Sequence, residues 1–349
     1  MKKQLLTALI SGAVVLGSYT STAPIANAAG NGPEYQGHET INTQILHSYE
    51  EMMTYLEKQN QKQAHMDMEI IGETVKKREI PLVKYMSNPN NPTILYLAQQ
   101  HGDEALTTEG MLDFIKSLGT GKMKGVLDGV NILMIPMYNA DGAMADVDHE
   151  LEDYAAKGPR HLTRHNANDV DLNRDHADRT QPETQALHEN VLQQYDIDYM
   201  MDLHHQGAQW VKDGKYVSGA IFYPHPDYTD EDVLYQSKQL GSVIYNAIEP
   251  KGWGHLAKYA GKGSAYSPGI GVYGIANAYD ISTFLFEMRG TADNANDFEV
   301  LGQKSNGYLT KQTVVAMEET ARSIADRSIL KEDISFWEDL PVQESILEE

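Results

Sequence analysis

Four short apolar runs, separated by stretches of helical periodicity, leave this chain few architectures. The runs are Thr93–Ala98, Val130–Met137, Ile197–Leu203 and Ile281–Phe286. Their length and mostly apolar character are those of strands covered on both faces. Between them, Met111, Phe114, Ile115 and Leu118 fall on one helical face, and the stretches from Thr184 to Tyr195 and from Asp230 to Ile248 also read as helices. The pattern predicts an α/β fold with a mixed, twisted central sheet and helices on both faces. Upstream, Thr40 to Gln59 has helical periodicity through Ile45, Leu46, Tyr49, Met52, Met53 and Leu56, and Glu73 to Lys84 reads as paired strands joined by a basic turn. No internal repeat or clear linker divides residues 40–329, which read as one domain. Residues 29–39 are polar and Gly-rich and read as a flexible lead-in. Residues 330–349 form an acidic tail whose Phe336-Trp337 pair is expected to dock on the body.

The first 28 residues are of a different kind. Lys2 and Lys3 precede the apolar LLTALISGAVVL, and Ala26-Asn27-Ala28 fits the small-x-small cleavage pattern of a signal peptide. The apolar run is shorter than the about 20 residues of a membrane span, so secretion is expected, extracellular or wall-associated, with no stable membrane insertion. The chain has no cysteine, which removes a lipid anchor at the cleavage site, a disulfide framework, a thiolate zinc site and a cysteine nucleophile. The formal charge of −22 grows by two when Lys2 and Lys3 leave with the signal. Such a surface disfavours nucleic acid and anionic lipid as partners and suits a soluble, secreted monomer.

Reactive side chains fall where the predicted strands end. His101 and Glu104 follow the Thr93 strand in QQHGDE, Asp202-Leu203-His204-His205 closes the Ile197 strand, and Glu287 and Arg289 close the Ile281 strand. In open α/β sheets the carboxyl ends of the strands form the crevice that binds ligands. Two histidines and a glutamate make a His₂Glu set that leaves one zinc position open. The helical H-E-x-x-H pattern is absent, which excludes zincin proteases. His204 and His205 both remain candidates, but alternation puts Asp202 and His204 on one strand face and His205 on the other, favouring His204.

The motifs HGDE at His101, NADG at Asn139, TRHNANDVDLNRD from Thr163 to Asp175, QPET at Gln181, DLHH at Asp202 and FLFEMR from Phe284 to Arg289 occur in one order along the chain. In this order the chain resembles the zinc carboxypeptidase family, which contains carboxypeptidases A and B, from about Tyr49 to Ala325. The resemblance implies a metallocarboxypeptidase-like fold, one zinc ion held by His101, Glu104 and His204, and peptide substrates with a free C-terminus. Asp171 then matches the carboxylate that orients the first zinc histidine. Glu287 matches the general base for zinc-activated water. Arg164, with Arg160 as the fallback, matches the group that holds the developing oxyanion. Asn173 and Arg174 match the pair that grips the terminal carboxylate. Tyr266, with Tyr273 as runner-up, matches the tyrosine that closes over the substrate, and Gly261, Gly263, Gly269 and Gly271 would make that loop mobile.

The family's specificity position falls near Gly271-Val272-Tyr273, which offers no carboxylate and points to an apolar or aromatic C-terminal residue. Asp103 departs from the arginine of digestive members, and NADG from the commoner NPDG. No long segment resembling an inhibitory pro-domain precedes the domain, so the enzyme is expected to be exported ready to act. The alternatives are an amide hydrolase acting on diaminopimelate-type cell-wall peptides, and a non-catalytic zinc- or peptide-binding protein. Glu287 and Arg164 argue against the latter, which would need neither.

Overall fold

The computed structural model describes residues 46–144, 164–206, 210–252, 254–260, 266–289 and 303–346. The expected signal peptide, the lead-in, Arg160, Gly261 and Gly263 lie outside them. The helix expected from Thr40 is described as α1, Tyr49–Lys62, whose start is fixed by Ser48: its hydroxyl accepts from Glu51 N while the Glu51 carboxylate accepts from Ser48 N.

Eight strands form one sheet. The strand pair expected from Glu73 to Lys84 is present with its first strand earlier in the chain: β1 is Asp67–Glu73 and β2 is Glu79–Tyr85, joined by the basic turn. Then follow β3, Thr93–Ala98, and β4, Asn131–Ile135, with the helix α2, Ala105–Leu118, between them. The next long strand is β5, Tyr199–Gln206. Two short strands, β6 (Trp210–Lys212) and β7 (Lys215–Tyr216), lead to β8, Gly219–Phe222; β9 is Leu256–Lys258 and β10 is Ser282–Arg289. The sheet order is β1-β2-β4-β3-β5-β10-β8-β9. Its centre, β4-β3-β5-β10, is parallel throughout, whereas β2 and β8 join it antiparallel. A mixed sheet is therefore present, and four carboxyl ends open on one edge. A second small sheet pairs β6 with β7 and with β11, Glu344–Ser345.

Alternation sorts the side chains of the parallel strands into two cores. Ile94, Tyr96, Met201, Leu203, Phe284 and Phe286 pack against α1, α2, α4 (Glu231–Ile248) and α6 (Gln303–Ala325). Leu95, Leu97, Leu133, Ile135 and Met200 pack on the other face, against the segment containing α3, Pro182–Leu187, and against Ile275 of α5, Gly271–Tyr279. Fully burying each such side chain is worth about 1.5–3 kcal/mol.

Two differences from the sequence expectation have physical causes. The helix expected from Thr184 to Tyr195 changes at His188 into a π-turn over His188–Leu192, with the His188 ring drawn inward onto His176 and Tyr279. β5 continues through His204 to Gln206 because these residues pair in parallel with Glu287, Met288 and Arg289 of β10. The acidic tail does dock: Trp337 is buried against Phe284 and donates through Nε1 to Lys238 O at 3.0 Å, while Phe336 stacks on Tyr245.

Candidate active site

The chain leaves β3 through a strained turn. Gln99 has φ 54°, a left-handed conformation that costs a side-chain-bearing residue about 1 kcal/mol or more. The turn is held by Gln99 N donating to Thr107 Oγ1 at 2.9 Å and Gln99 Nε2 donating to Gly102 O at 2.8 Å. A Cβ on Gly102 would collide with the backbone of Gly142, so the turn crosses the NADG segment at a distance only glycine allows. Glu104 then stands at the N-terminus of α2, and its carboxylate meets His101 Nδ1 at 2.7 Å.

The third member arrives from β5. His204 Nδ1 lies 2.9 Å from Glu104 Oε2 and 3.1 Å from His101 Nδ1. These three side chains are almost fully buried, and their potential ligand atoms lie within 4.8 Å of one another. The donor set fits zinc. Bonds of about 2.0–2.1 Å in tetrahedral array separate neighbouring ligand atoms by about 3.3 Å, close to the spacings here. Each imidazole is also held from behind, His101 Nε2 by Asp171 at 3.2 Å and His204 Nε2 by Asp202 at 3.0 Å. A carboxylate on the outer nitrogen leaves the inner one to bind metal. Burial alone would raise the Glu104 carboxyl, but His101 and His204 facing it hold it well below the usual range. Burial depresses His101 most, but Glu104 and Asp171 together offset it and leave the ring raised.

Glu287 comes from the neighbouring strand. In the parallel register of β10 on β5, Glu287 stands directly beside His204, and alternation puts both on the same face. It is buried, with 8% of its surface exposed. Arg164 approaches from the opposite direction. Its backbone carbonyl accepts from Gly102 N at 3.2 Å and Asn139 Nδ2 at 3.1 Å, its Nε and Nη2 donate to Asp171 Oδ2, and its Nη1 lies 3.2 Å from His101 Nδ1. The asparagine of NADG thus anchors this arginine. The aspartate of the same motif, Asp141, instead accepts from Thr74, Lys76 N and Arg78, tying down the basic turn.

The other expected residues lie farther along the crevice. Asn173 is buried, takes Gly271 N onto its Oδ1 at 2.8 Å and keeps its Nδ2 to donate elsewhere; the Arg174 side chain is exposed. Tyr266 stacks face to face on Tyr228 at 4.1 Å, and its hydroxyl accepts from Asn277 Nδ2. Tyr273 is buried against Phe222, Leu285 and Tyr266, and burial pushes its hydroxyl up to about 12. A Cβ on Gly269 would strike Arg174 O, so the loop passes Arg174 at a distance that glycine allows. Sequence reasoning placed Asp202 at the strand end and Asn139 in a motif without giving either a role, and it missed Gln100 and Tyr228. For Asp202 the signal was present, two residues before His204 on the same strand face.

A mixed α/β sheet with a buried His₂Glu set and a neighbouring glutamate at its carboxyl edge fits a metal-dependent hydrolase. Residues 49–293 match the zinc carboxypeptidase family, and the chain belongs to that family of zinc-dependent hydrolases. Its fold is shared by solved structures of low identity. One is a metallo-carboxypeptidase from Pseudomonas aeruginosa in complex with (2-guanidinoethylmercapto)succinic acid, 16% identical, with a TM-score of 0.61 over 80% of this chain and 69% of that one. Another is bovine thrombin-activatable fibrinolysis inhibitor in complex with tick carboxypeptidase inhibitor, 18% identical, with a TM-score of 0.60 over 81% and 98%. Carboxypeptidase A from Helicoverpa armigera, 15% identical, has a TM-score of 0.59 over 80% and 74%. No curated protein sequence matches the chain. Among the described residues no helix is long and apolar enough to cross a membrane.

Proposed function

We propose that this chain is a secreted carboxypeptidase that removes single residues from the free C-terminus of peptides. The observation that carries the reading is the β5–β10 register, which sets Glu287 beside His204 of the zinc-fitting cluster. His101, Glu104 and His204 would hold one zinc ion, which when bound would supply Lewis acidity and lower the pKa of a bound water towards about 7.

The chain's own residues do the rest. Arg174 and the Asn173 amide bind the terminal carboxylate, which excludes amidated peptides. Arg164, oriented by Asp171 and anchored through its carbonyl, donates to the scissile carbonyl oxygen as negative charge develops there. Glu287 accepts the proton of the attacking water as the new C–O bond forms. It then delivers that proton to the amine as the C–N bond breaks. Tyr266 is the closing tyrosine, since it is partly exposed where Tyr273 is buried. The departing side chain rests on the apolar wall of Leu285, Tyr273, Phe222 and Tyr266, which suits an apolar or aromatic residue. Residues 1–28 direct export.

The test is release of free amino acids from paired C-terminally free and amidated peptides, with and without chelator. Chelator-sensitive loss of one residue from the free set alone is expected, with aromatic and large apolar residues ranked first. Glu287→Gln is expected to cut kcat by roughly 10²–10⁴ while zinc stays bound. Undiminished turnover in that variant would remove Glu287 from the mechanism.

A further inference from the structure

The hydrogen bonds behind His204 do not stop at Asp202. Gln100 Nε2 donates to the same Asp202 oxygen at 3.0 Å, and Gln100 Oε1 faces His176 Nε2 at 2.6 Å. His176 Nδ1 faces His188 Nε2 at 3.1 Å, and His188 Nδ1 faces the Tyr279 hydroxyl at 2.8 Å. Asp202, Gln100, His176 and His188 are each at most 2% exposed, and Tyr279 reaches the half-exposed rim below Arg179.

The direction of every link follows from the first. A carboxylate only accepts, so Gln100 must turn its amide NH₂ to Asp202 and its oxygen to His176. His176 then carries its proton on Nε2 and offers Nδ1 as an acceptor. His188 must in turn carry its proton on Nε2, and its Nδ1 takes the Tyr279 O–H. The arrangement satisfies all its links with both imidazoles neutral. Burial agrees, pulling His176 down to about 4 and His188 to about 3. A buried array whose members are all satisfied is rigid, and its dipoles reinforce one another. It also abuts the substrate side: His176 N donates to Gly269 O, beside the Gly271 N–H that holds Asn173.

We propose that Gln100, His176, His188 and Tyr279 form a positioning column that fixes the Asp202 carboxylate, and through it the tautomer and ring plane of His204, and so sets the affinity of the site for zinc. None of the four touches substrate. The inference rests on His204 being a zinc ligand, and its test separates the two ideas.

Zinc affinity of the full chain would be measured by competition with a chromophoric chelator, beside the visible spectrum of the cobalt-substituted protein and the melting temperature of the metal-free form. Gln100→Leu and His176→Leu are expected to weaken zinc binding by roughly 10–100-fold, as loss of an outer partner does, and to shift the cobalt spectrum. His176→Gln, which can still donate to Gln100 from its amide, is expected to restore most of the affinity. Gln100→Leu and His176→Leu proteins that fold and bind zinc within about twofold of the parent, with an unchanged cobalt spectrum, would overturn the column. If Gln100→Leu does not fold, His176→Gln against His176→Leu decides: equal affinities sink the proposal. His204→Ala is the separate control, because undiminished zinc binding there would strike the ligand assignment itself.

Discussion

His204 and His205 are the same residue type, adjacent on one strand and equally hidden from water, yet the two faces of the sheet make them opposites. On the crevice face, burial would depress His204, but Asp202 and Glu104 more than compensate and raise it well above the ordinary histidine value. On the other face, His205 follows Met201 and Leu203 into the apolar core beside Met288, and burial depresses it to about 4. Among the described residues neither of its ring nitrogens finds a hydrogen-bond partner. A histidine at a strand end is thus made a ligand candidate by carboxylates placed on both nitrogens, and sequence position alone does not do it.

The largest effect expected from this contrast is on metal. His204→Ala should lower zinc affinity by more than about 100-fold, beyond the loss of an outer partner, whereas His205→Leu should leave it unchanged. Equal zinc loss in both, read by competition with a chelator, would erase the distinction between the faces. Next is the rate: Arg164→Ala should reduce kcat by roughly 10²–10³, the cost of removing an oxyanion donor, while Arg174→Ala should act mainly on KM. Steady-state kinetics on one free peptide would separate them. Asp202→Asn should follow, weakening zinc by roughly 10–100-fold and sharpening the claim that partners make the ligand.

The smallest effect is on acid stability. The unfolded chain protonates residue 205 near pH 6.5, the native state only near 4. Below pH 6.5 the unfolded state therefore binds the extra proton, and stability falls as pH drops towards 4; above 6.5 this group adds no slope. His205→Leu should flatten that limb by at most about 1.4 kcal/mol per pH unit, seen in denaturant melts with chelator present. An unchanged slope would mean His205 is not held neutral.

Much of this was legible in the chain. Thr93–Ala98 is both the expected and the observed third strand, because an apolar run of strand length admits little else. The His101–Glu104 pair was legible because one tight turn joins them, and His204 because strand alternation separates it from His205. The π-turn at His188 was not, because its cause is a contact with His176 and Tyr279. The anchoring of Arg164 by Asn139 and the stacking of Tyr266 on Tyr228 were hidden for the same reason.

The sequence by itself determined the alternation of strands and helices, the residue types at the strand ends and the motif order that marks the family. Those are local, since period, turn chemistry and spacing are written in neighbouring residues. Tertiary structure decided which nitrogen faces the cluster, which glutamate stands beside it and which polar groups lie behind it. These depend on sheet register and on hydrogen bonds between residues as far apart as Gln100 and Asp202, and in a buried site each such group must find its partner across the fold.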